Sequence, residues 1–233
     1  MLKFYYNTSP NPSKVALMLE ECGLPYDVVP VDVRKGQQFA PEFLQINPNA
    51  KVPALIDGDA TIFDSNAILL YLADKTGKFL PENTSAARGE LLSWLMFIAS
   101  GIGPYSGQAV HFKYYATGPN ASAYALNRYL FEVERHWKIV DDRLSTRRYL
   151  LGDAYTIADM ALWGWSQAIT FILGEAAWAN LPNVKRLSDE TNARPAVARV
   201  HALAARYKQV FKEEMDQEAR DFMFPQNKRL ATA

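Results

Sequence analysis

The chain has 233 residues, of which 49% are hydrophobic and 21% are charged, an ordinary composition for a soluble globular protein. Its 25 basic and 25 acidic residues balance, so no net field attracts nucleic acid or an anionic membrane surface. The single cysteine, Cys22, excludes an intramolecular disulfide and a cysteine-rich zinc site. No signal peptide and no stretch of ~20 apolar residues is found. We therefore expect a cytoplasmic protein without a metal, a nucleic-acid partner or a membrane partner.

The first 80 residues show the patterns of alternating strands and helices. Leu2–Tyr6 is a short apolar run that predicts a strand. From Ser13, apolar side chains recur at helical spacing until Gly23, which is a good residue to end a helix. Residues 26–33 are rich in valine and predict a second strand. Strand, helix and strand together predict a βαβ unit with parallel pairing.

A short helix, a hairpin and a longer helix are predicted next. Residues 41–46 favour the short helix. The apolar runs 52–56 and 61–63 flank an Asp-Gly turn, which is a strong hairpin signal. Ser65 is a good N-cap residue for the helix that follows. This order of elements predicts a compact α/β domain over residues 1–80.

Only helical patterns follow a predicted linker at residues 81–86. We expect an all-α domain at residues 87–215 and a C-terminal tail at 216–233. The helices of this domain are predicted at about residues 86–100, 121–145, 157–173, 183–192 and 196–215. Thr156 lies three positions before Asp159, which is the spacing of a capping box and concerns folding.

Three features together resemble the cytosolic glutathione transferase family. Val52-Pro53 begins a strand after a loop, where thioredoxin-like folds carry a cis proline. Asp64-Ser65 precedes a helix whose N-terminus suits a carboxylate ligand. The third feature is the capping box. The resemblance extends to about residue 215 and implies an α/β plus all-α fold: a thioredoxin-like N-terminal domain, then an all-helical domain, in a homodimer.

The residue that activates the glutathione sulfur is expected in the loop after the first strand. This loop has no cysteine, so a mixed disulfide with the protein is not available. The pattern Ser9-Pro-Asn11-x-x-Lys14 resembles the Nu class, which has Thr-Pro-Asn at this place. The resemblance implies that Ser9 and Asn11 donate hydrogen bonds to the sulfur and so favour the reactive thiolate. Tyr5 and Tyr6 are alternative hydroxyl donors, although both lie within the predicted strand.

The same resemblance implies further contacts with glutathione. Asp64 would meet the ammonium of the γ-glutamyl end, and Ser65 would meet its α-carboxylate. Gln38 would contact the glycyl end, and the Val52 backbone would pair with the cysteinyl amide. Arg128 resembles an arginine that reaches glutathione across the dimer. The residues implied to bind glutathione are Gln38, Lys51, Val52, Pro53, Asp64, Ser65 and Arg128.

A second-substrate pocket is harder to locate from the sequence. Tyr105, His111 and Phe112 are candidates to line it. No histidine or carboxylate lies at metal-ligand spacing from His111, so no metal site is predicted. His136 and His201 lie among charged residues in amphipathic patterns, where we expect solvated side chains.

The leading hypothesis is therefore an enzyme that uses glutathione as a co-substrate. Its thiolate would attack an electrophile, or would reduce a disulfide or hydroperoxide. Resemblance to the Nu class implies disulfide reduction with two glutathione molecules in the site. Two alternatives stay open: a non-catalytic glutathione-binding or protein-interaction module of the same fold, and a catabolic glutathione-dependent lyase or isomerase. The sequence does not identify the second substrate.

Overall fold

The computed structural model describes residues 1–116 and 118–232. The chain divides into two compact units, each held together by contacts among its own residues. The sheet unit comprises residues 1–68 and 196–233, and the helical unit comprises residues 69–195. Within the described ranges, no helix combines the length and the apolar character that crossing a membrane requires.

The elements follow one another largely in the predicted order. The strands are β1 (Leu2–Tyr6), β2 (Tyr26–Pro30), β3 (Ala54–Asp57) and β4 (Ala60–Phe63). The α-helices are α1 (Pro10–Cys22), α2 (Pro41–Ile46), α3 (Ser65–Thr76), α4 (Ser85–Phe97), α5 (Gly103–Val110), α6 (Ala123–Leu144), α7 (Ile157–Ser166), α8 (Ile169–Leu173), α9 (Ala177–Asn180), α10 (Pro182–Asn192), α11 (Pro195–Tyr207) and α12 (Gln217–Met223). Two π-helical segments are Ile98–Ile102 and His111–Tyr115, and 3₁₀ turns lie at Val33–Lys35, Gln37–Phe39, Gly118–Asn120, Lys208–Val210 and Pro225–Thr232.

The strand directions bring four chain segments to one edge of the sheet. The strand order is β2-β1-β3-β4. β1 is parallel to β2 and antiparallel to β3, and β3 is antiparallel to β4, which confirms the predicted βαβ unit and hairpin. At one end Tyr6 pairs with Pro30, and Ala54 pairs with Phe63. The ends of β1, β2 and β4 and the start of β3 therefore share one edge, which we call the carboxyl edge.

Helix α1 begins earlier than the apolar pattern predicts, at Pro10 and not at Ser13. Proline is well accepted in a first helical turn, because the N–H that it lacks has no intrahelical partner there. Ser9 is the N-cap residue, and the helix ends at Gly23, whose φ of 65° is left-handed, as predicted. The early start places the first turn of α1 directly after the carboxyl edge.

Two features of the helical unit differ from the predictions. The predicted helix at 157–173 is broken between Ser166 and Ile169. There the backbone N–H of Ala168 donates to the Trp165 carbonyl three residues back, which is the hydrogen bond of a 3₁₀ turn and not of an α-helix. Helix α5 has no counterpart among the predicted helices, since Gly and Pro residues obscure its pattern. Its Pro104 lies in the first turn, where proline is tolerated.

The end of the chain also differs from the prediction of one helix at 196–215. Helix α11 stops at Tyr207. In a continuing helix the backbone N–H of Lys212 would donate to the carbonyl four residues back, but it donates instead to the Asp32 carboxylate at 2.7 Å. Helix α12 follows in the predicted tail, with Asp216 as its N-cap accepting from the Ala219 N–H at 2.8 Å.

The predicted capping box of α7 is confirmed. The Asp159 carboxylate is fully buried and accepts hydrogen bonds from the Leu150 N–H at 2.8 Å, the Thr156 N–H at 2.8 Å and the Thr156 hydroxyl at 3.1 Å. Burial raises the pKa of Asp159 to about 6, and these hydrogen bonds act in the opposite direction. The carboxylate therefore joins the start of α7 to the loop before it.

Replacing Asp159 by alanine should destabilise the fold, because two buried backbone donors lose their acceptor. We expect Asp159→Ala to lower the free energy of unfolding by about 3 kcal/mol. Urea denaturation measures the change. Asp153→Ala is the control, since Asp153 is exposed and should shift stability by less than ~0.5 kcal/mol. Equal stability of the two variants would contradict the role of the capping box.

Candidate functional site

The carboxyl edge gathers the candidate residues of the sheet unit. Ser9 and Asn11 follow the end of β1, and Gln38 lies in the connection after β2. Val52-Pro53 immediately precedes the start of β3, and Asp64-Ser65 follows the end of β4. Residues far apart in the sequence therefore meet at one edge because of the strand directions.

Ser9 is exposed and its hydroxyl already has a partner. Its Oγ donates to the Asn7 Oδ1 at 2.6 Å, and its backbone N–H reaches the same oxygen at 3.0 Å. Ser9 therefore makes no side-chain bond to α1, although it is the N-cap residue. Sequence reasoning misses Asn7, but an Asn that bonds the N–H two residues later is a known turn signal. A ligand that accepts a hydrogen bond from the Ser9 hydroxyl must replace the Asn7 Oδ1 as its acceptor.

The first turn of α1 offers few backbone donors. Pro10 and Pro12 carry no N–H, so Asn11 supplies the one backbone N–H of residues 10–12. The Ser13 N–H bonds the Ser9 carbonyl at 3.3 Å. Because the positive end of the helix dipole lies here, stabilisation of an anion in front of α1 depends mainly on Asn11.

Lys14 lies one turn further along α1 and is 2% exposed. Its pKa is lowered to about 7 by burial, and the negative charge of Asp64 acts in the opposite direction. This side chain therefore couples the start of α1 electrostatically to the residue that precedes α3. The sequence pattern includes Lys14, but it does not reveal that the ammonium is buried.

Asp64, and not Ser65, caps α3. The Asp64 Oδ1 accepts from the backbone N–H of Asn66 at 2.8 Å and of Ala67 at 3.2 Å. Its φ of 72° lies in the left-handed region, which is uncommon for a residue other than glycine. Ser65, the predicted cap, is the first residue of α3 and is 5% exposed. The other Asp64 oxygen accepts no hydrogen bond within the described part of the chain.

The loop before β3 is organised by Asn47, which sequence reasoning also misses. Asn47 is 2% exposed, its Nδ2 donates to the Lys51 carbonyl at 2.6 Å, and its Oδ1 accepts from the Asn49 N–H at 3.0 Å. The Val52-Pro53 peptide bond is cis, as the family resemblance implies. Lys51 itself is exposed. Asn47 thus fixes the backbone directly before the cis bond.

Gln38 is only 4% exposed, and its carboxamide is held by backbone carbonyls. The Nε2 donates to the Val33 oxygen at 3.1 Å and to the Phe222 oxygen at 3.4 Å. The Oε1 is buried and accepts no hydrogen bond within the described residues. Because both neighbours of the nitrogen are acceptors, the orientation of the carboxamide is determined.

The two tyrosines of β1 are less suited to activate a sulfur. Tyr6 is fully buried beside the rings of Tyr207 and Phe211, and burial raises its pKa to about 12. Its hydroxyl has no hydrogen-bond partner in the described part of the protein. Tyr5 packs on Phe43, with a ring-centroid distance of 5.6 Å, and burial raises its pKa as well. This geometry favours Ser9 and Asn11 over either tyrosine.

The remaining candidates lie in the helical unit. Arg128 on α6 forms an ion pair with Glu132 at 3.0 Å, and its side chain is 55% exposed. Glu132 also accepts from Arg135 at 2.9 Å and lies 3.5 Å from His136. The Arg135 hydrogen bond and the nearby positive charges lower the pKa of Glu132. Glu132 is therefore the centre of a charge cluster on α6.

Three aromatic candidates group around α5 and α6. Tyr105 lies 4.8 Å from the His136 ring, and Phe112 stacks on Tyr129 at 5.4 Å. His111 contacts Phe112, and burial lowers its pKa. The expectation of a solvated His136 is wrong, because this ring is 5% exposed and its Nδ1 lies 2.7 Å from the Glu132 carbonyl. In the described ranges no group of His, Cys, Asp or Glu could hold a metal ion.

Comparison with known proteins identifies similar sequences and structures. The N-terminal domain model of glutathione S-transferase matches residues 1–74, and the C-terminal domain model matches residues 108–202. The disulfide-bond oxidoreductase YfcG of Escherichia coli K12 is 40% identical over 203 residues, covering 84% of this chain and 92% of that protein. A glutathione transferase family member from Pseudomonas fluorescens, solved with two glutathione bound, is 40% identical, with a TM-score of 0.80 over 85% of this chain and 91% of that chain. A glutathione transferase from Pseudomonas putida, solved with one glutathione disulfide per subunit, is 32% identical, with a TM-score of 0.79 over 85% and 90% of the two chains.

The buried Lys14 should make stability depend on pH. Its pKa is about 7 in the folded protein and an ordinary 10.5 when exposed, so between these values folding releases a proton. We expect the free energy of unfolding to rise from pH ~7 to pH ~9, relative to Lys14→Met, by at most about 1.4 kcal/mol per pH unit. Urea titrations at several pH values measure this slope. Parallel pH profiles of the two proteins would contradict a buried, titrating Lys14.

Proposed function

Because the chain belongs to the glutathione S-transferase family, we propose that it reduces disulfides with the thiolate of glutathione bound at the carboxyl edge. The observation that supports this proposal most strongly is the convergence of Asn11, the cis Val52-Pro53 bond and Asp64 at that edge. The similar solved structures that contain glutathione or glutathione disulfide favour the same ligand. Conjugation of glutathione to an electrophile is the second candidate, since it uses the same activated thiolate.

The sulfur of glutathione would lie in front of the first turn of α1. There Asn11 donates to the thiolate, and the helix dipole adds a favourable potential. The Ser9 hydroxyl donates to the thiolate as well, once its hydrogen bond to the Asn7 Oδ1 is broken. A free cysteine thiol has a pKa of about 8.5, and each unit of depression requires about 1.4 kcal/mol of preferential stabilisation. Two charge-assisted hydrogen bonds are of the right size for a depression of one to two units.

The γ-glutamyl end of glutathione would be recognised at the start of α3. The second carboxylate oxygen of Asp64 suits the ligand's ammonium, because the first oxygen caps the helix. Ser65 and the helix N-terminus suit the α-carboxylate. The Val52 backbone, held by Asn47 through Lys51, pairs with the cysteinyl amide. Both charged groups of the γ-glutamyl end thereby meet an opposite charge or a dipole.

The absence of a cysteine at this edge of the described chain points to a reaction with two glutathione molecules. Cys22 lies in the last turn of α1, with its sulfur 3.9 Å from that of Met18. A first glutathione thiolate attacks the disulfide, forms a mixed disulfide and releases one thiolate product. A second glutathione thiolate attacks the glutathione sulfur of that mixed disulfide, which releases the second thiolate product and leaves glutathione disulfide.

Finer assignments belong to the same proposal. The Ser-Pro-Asn pattern at Ser9 supports a place in the Nu class. We propose a cytoplasmic homodimer, to which the exposed apolar side chains of Met96 and Phe131, both 56% exposed, are suited as contact residues. Arg128 would then reach glutathione of the partner subunit. Tyr105, His111 and Phe112 would contact the second substrate.

Substitution at the start of α1 should reduce turnover more than binding. We expect Asn11→Ala to lower the rate of glutathione-dependent disulfide reduction by about 100-fold and Ser9→Ala by about 10-fold, because each removes a donor to the developing thiolate. Affinity for glutathione, measured by isothermal titration calorimetry, should change by less than about 5-fold. Thr8→Ala, which removes a neighbouring exposed hydroxyl, is the matched control and should behave as wild type.

The same assay separates the candidate functions. Faster turnover with a model disulfide than with a conjugation substrate supports disulfide reduction, and the reverse supports conjugation. If the wild-type protein binds neither glutathione nor glutathione disulfide, the proposed function is wrong. Binding without turnover on either substrate would instead support the non-catalytic module.

A further inference from the structure

The C-terminal residues 211–223, which we call the strap, pack on the connection between β2 and α2. We propose that the strap positions Gln38, with Phe222 and Arg34 as positioning residues, so that the carboxamide oxygen of Gln38 is the group left to accept a hydrogen bond from glutathione. This inference rests on the proposed function. It adds that glutathione recognition by Gln38 depends on a segment that includes Phe222, 184 residues away in the sequence.

The first half of the strap is fastened by charged side chains to backbone groups. The Asp32 carboxylate accepts from the Lys212 N–H at 2.7 Å. The Arg34 guanidinium donates to the carbonyls of Lys212 and Glu213, both at 2.8 Å. Asp32 also accepts from the Arg34 N–H at 3.0 Å, so it joins the strap and its receiving loop. These charge-assisted bonds are stronger than neutral ones and fix the path of the strap.

The second half of the strap is fastened by an aromatic contact. The Phe222 ring lies directly against Gly36, where an added Cβ would overlap ring atoms. Gly36 has a φ of 75°, so glycine is required here both by the backbone and by the ring. The ring therefore presses on the residue that separates the two 3₁₀ turns of this loop, and Gln38 lies in the second turn.

The Gln38 carboxamide lies where these contacts meet. Its nitrogen donates to Val33 in the loop and to Phe222 in the strap, so both acceptors are backbone carbonyls. Rotation of the carboxamide by half a turn would bring its oxygen against those two carbonyls, which is repulsive. The oxygen is buried and has no partner in the described residues, so it is the one acceptor of Gln38 that is left over. A ligand N–H reaches it when the atoms that cover it move aside.

The chemistry of this oxygen restricts what it recognises. A carboxamide oxygen accepts hydrogen bonds and does not donate them, so it cannot bind a carboxylate. Glutathione offers a peptide N–H next to its glycyl carboxylate. Gln38, oriented by the strap, therefore recognises the glycyl N–H. Loss of the strap frees the carboxamide to rotate and removes this preference.

A double-mutant cycle between Phe222 and Gln38 tests the coupling. We expect Phe222→Ala to raise the KM for glutathione about fivefold, with kcat within about twofold, because one positioned hydrogen bond is lost. Gln38→Ala should give a similar increase. The double variant should be no worse than Gln38→Ala alone, since the strap acts through Gln38. Additive effects would overturn the inference.

Matched substitutions separate positioning from general damage. Val210→Ala shortens an exposed apolar side chain directly before the strap and should leave KM unchanged. Gly36→Ala should raise KM more than Gly58→Ala, because both glycines have left-handed φ but only Gly36 faces a ring. Phe222→Ala should partly restore the folding stability that Gly36→Ala loses, since removal of the ring makes room for the new methyl group. Absence of rescue would count against the contact.

Two readouts make failure of the inference distinguishable from failure of the proposed function. If wild type does not bind glutathione, both are wrong. If Gln38→Ala raises KM and Phe222→Ala does not, only the inference is wrong. Hydrogen exchange of residues 33–40 reports the strap without any ligand: it should be faster in Phe222→Ala and Arg34→Gln than in Val210→Ala. Equal exchange in the three variants would overturn the strap contact itself.

Discussion

The directions of the four strands are the constraint on which the other features of the candidate site depend. Because β1, β2 and β4 run one way and β3 runs the other, three strand ends and one strand start lie at the same edge. Two helices, α1 and α3, begin immediately beyond this edge, and the cis Val52-Pro53 bond precedes it. The N-termini of two helices and the backbone before the cis bond therefore lie at one edge, an arrangement that suits an anionic peptide ligand such as glutathione.

Charge distribution at this edge follows from the same arrangement. Lys14 is buried behind the first turn of α1, and Asp64 caps α3, so opposite charges flank the proposed binding region. Desolvation disfavours the Lys14 ammonium, and the charge of Asp64 restores part of its stability. A ligand with a thiolate and two carboxylates adds negative charge here, which we expect to favour the protonated lysine. Binding and protonation are then linked.

Much of the fold, and part of the candidate site, could be predicted from the sequence. Local patterns suffice for the βαβ unit, the hairpin and the capping box of Asp159, because each depends on residues close together in the chain. The cis bond at Val52-Pro53 required the family resemblance, since a cis proline has no local signature of its own.

Tertiary contacts explain what the sequence did not predict. Asp64 replaces Ser65 as cap because α3 begins one residue earlier than a Ser65 cap requires, and local patterns do not fix a helix start to one residue. The end of α11 at Tyr207 reflects bonds between Lys212 and a loop 180 residues away. The roles of Asn7 and Asn47 are hydrogen bonds within loops, and loop asparagines are too common for one to be singled out.

In the proposed mechanism, the start of α1 stabilises the glutathione thiolate without a cysteine of the protein. A pH titration of the thiolate ultraviolet absorbance of bound glutathione measures this directly, in wild type and in Asn11→Ala. We expect a thiol pKa at least about one unit below the free value of roughly 8.5 in wild type, and a return toward that value in the variant. An unshifted pKa in the wild-type complex would contradict it.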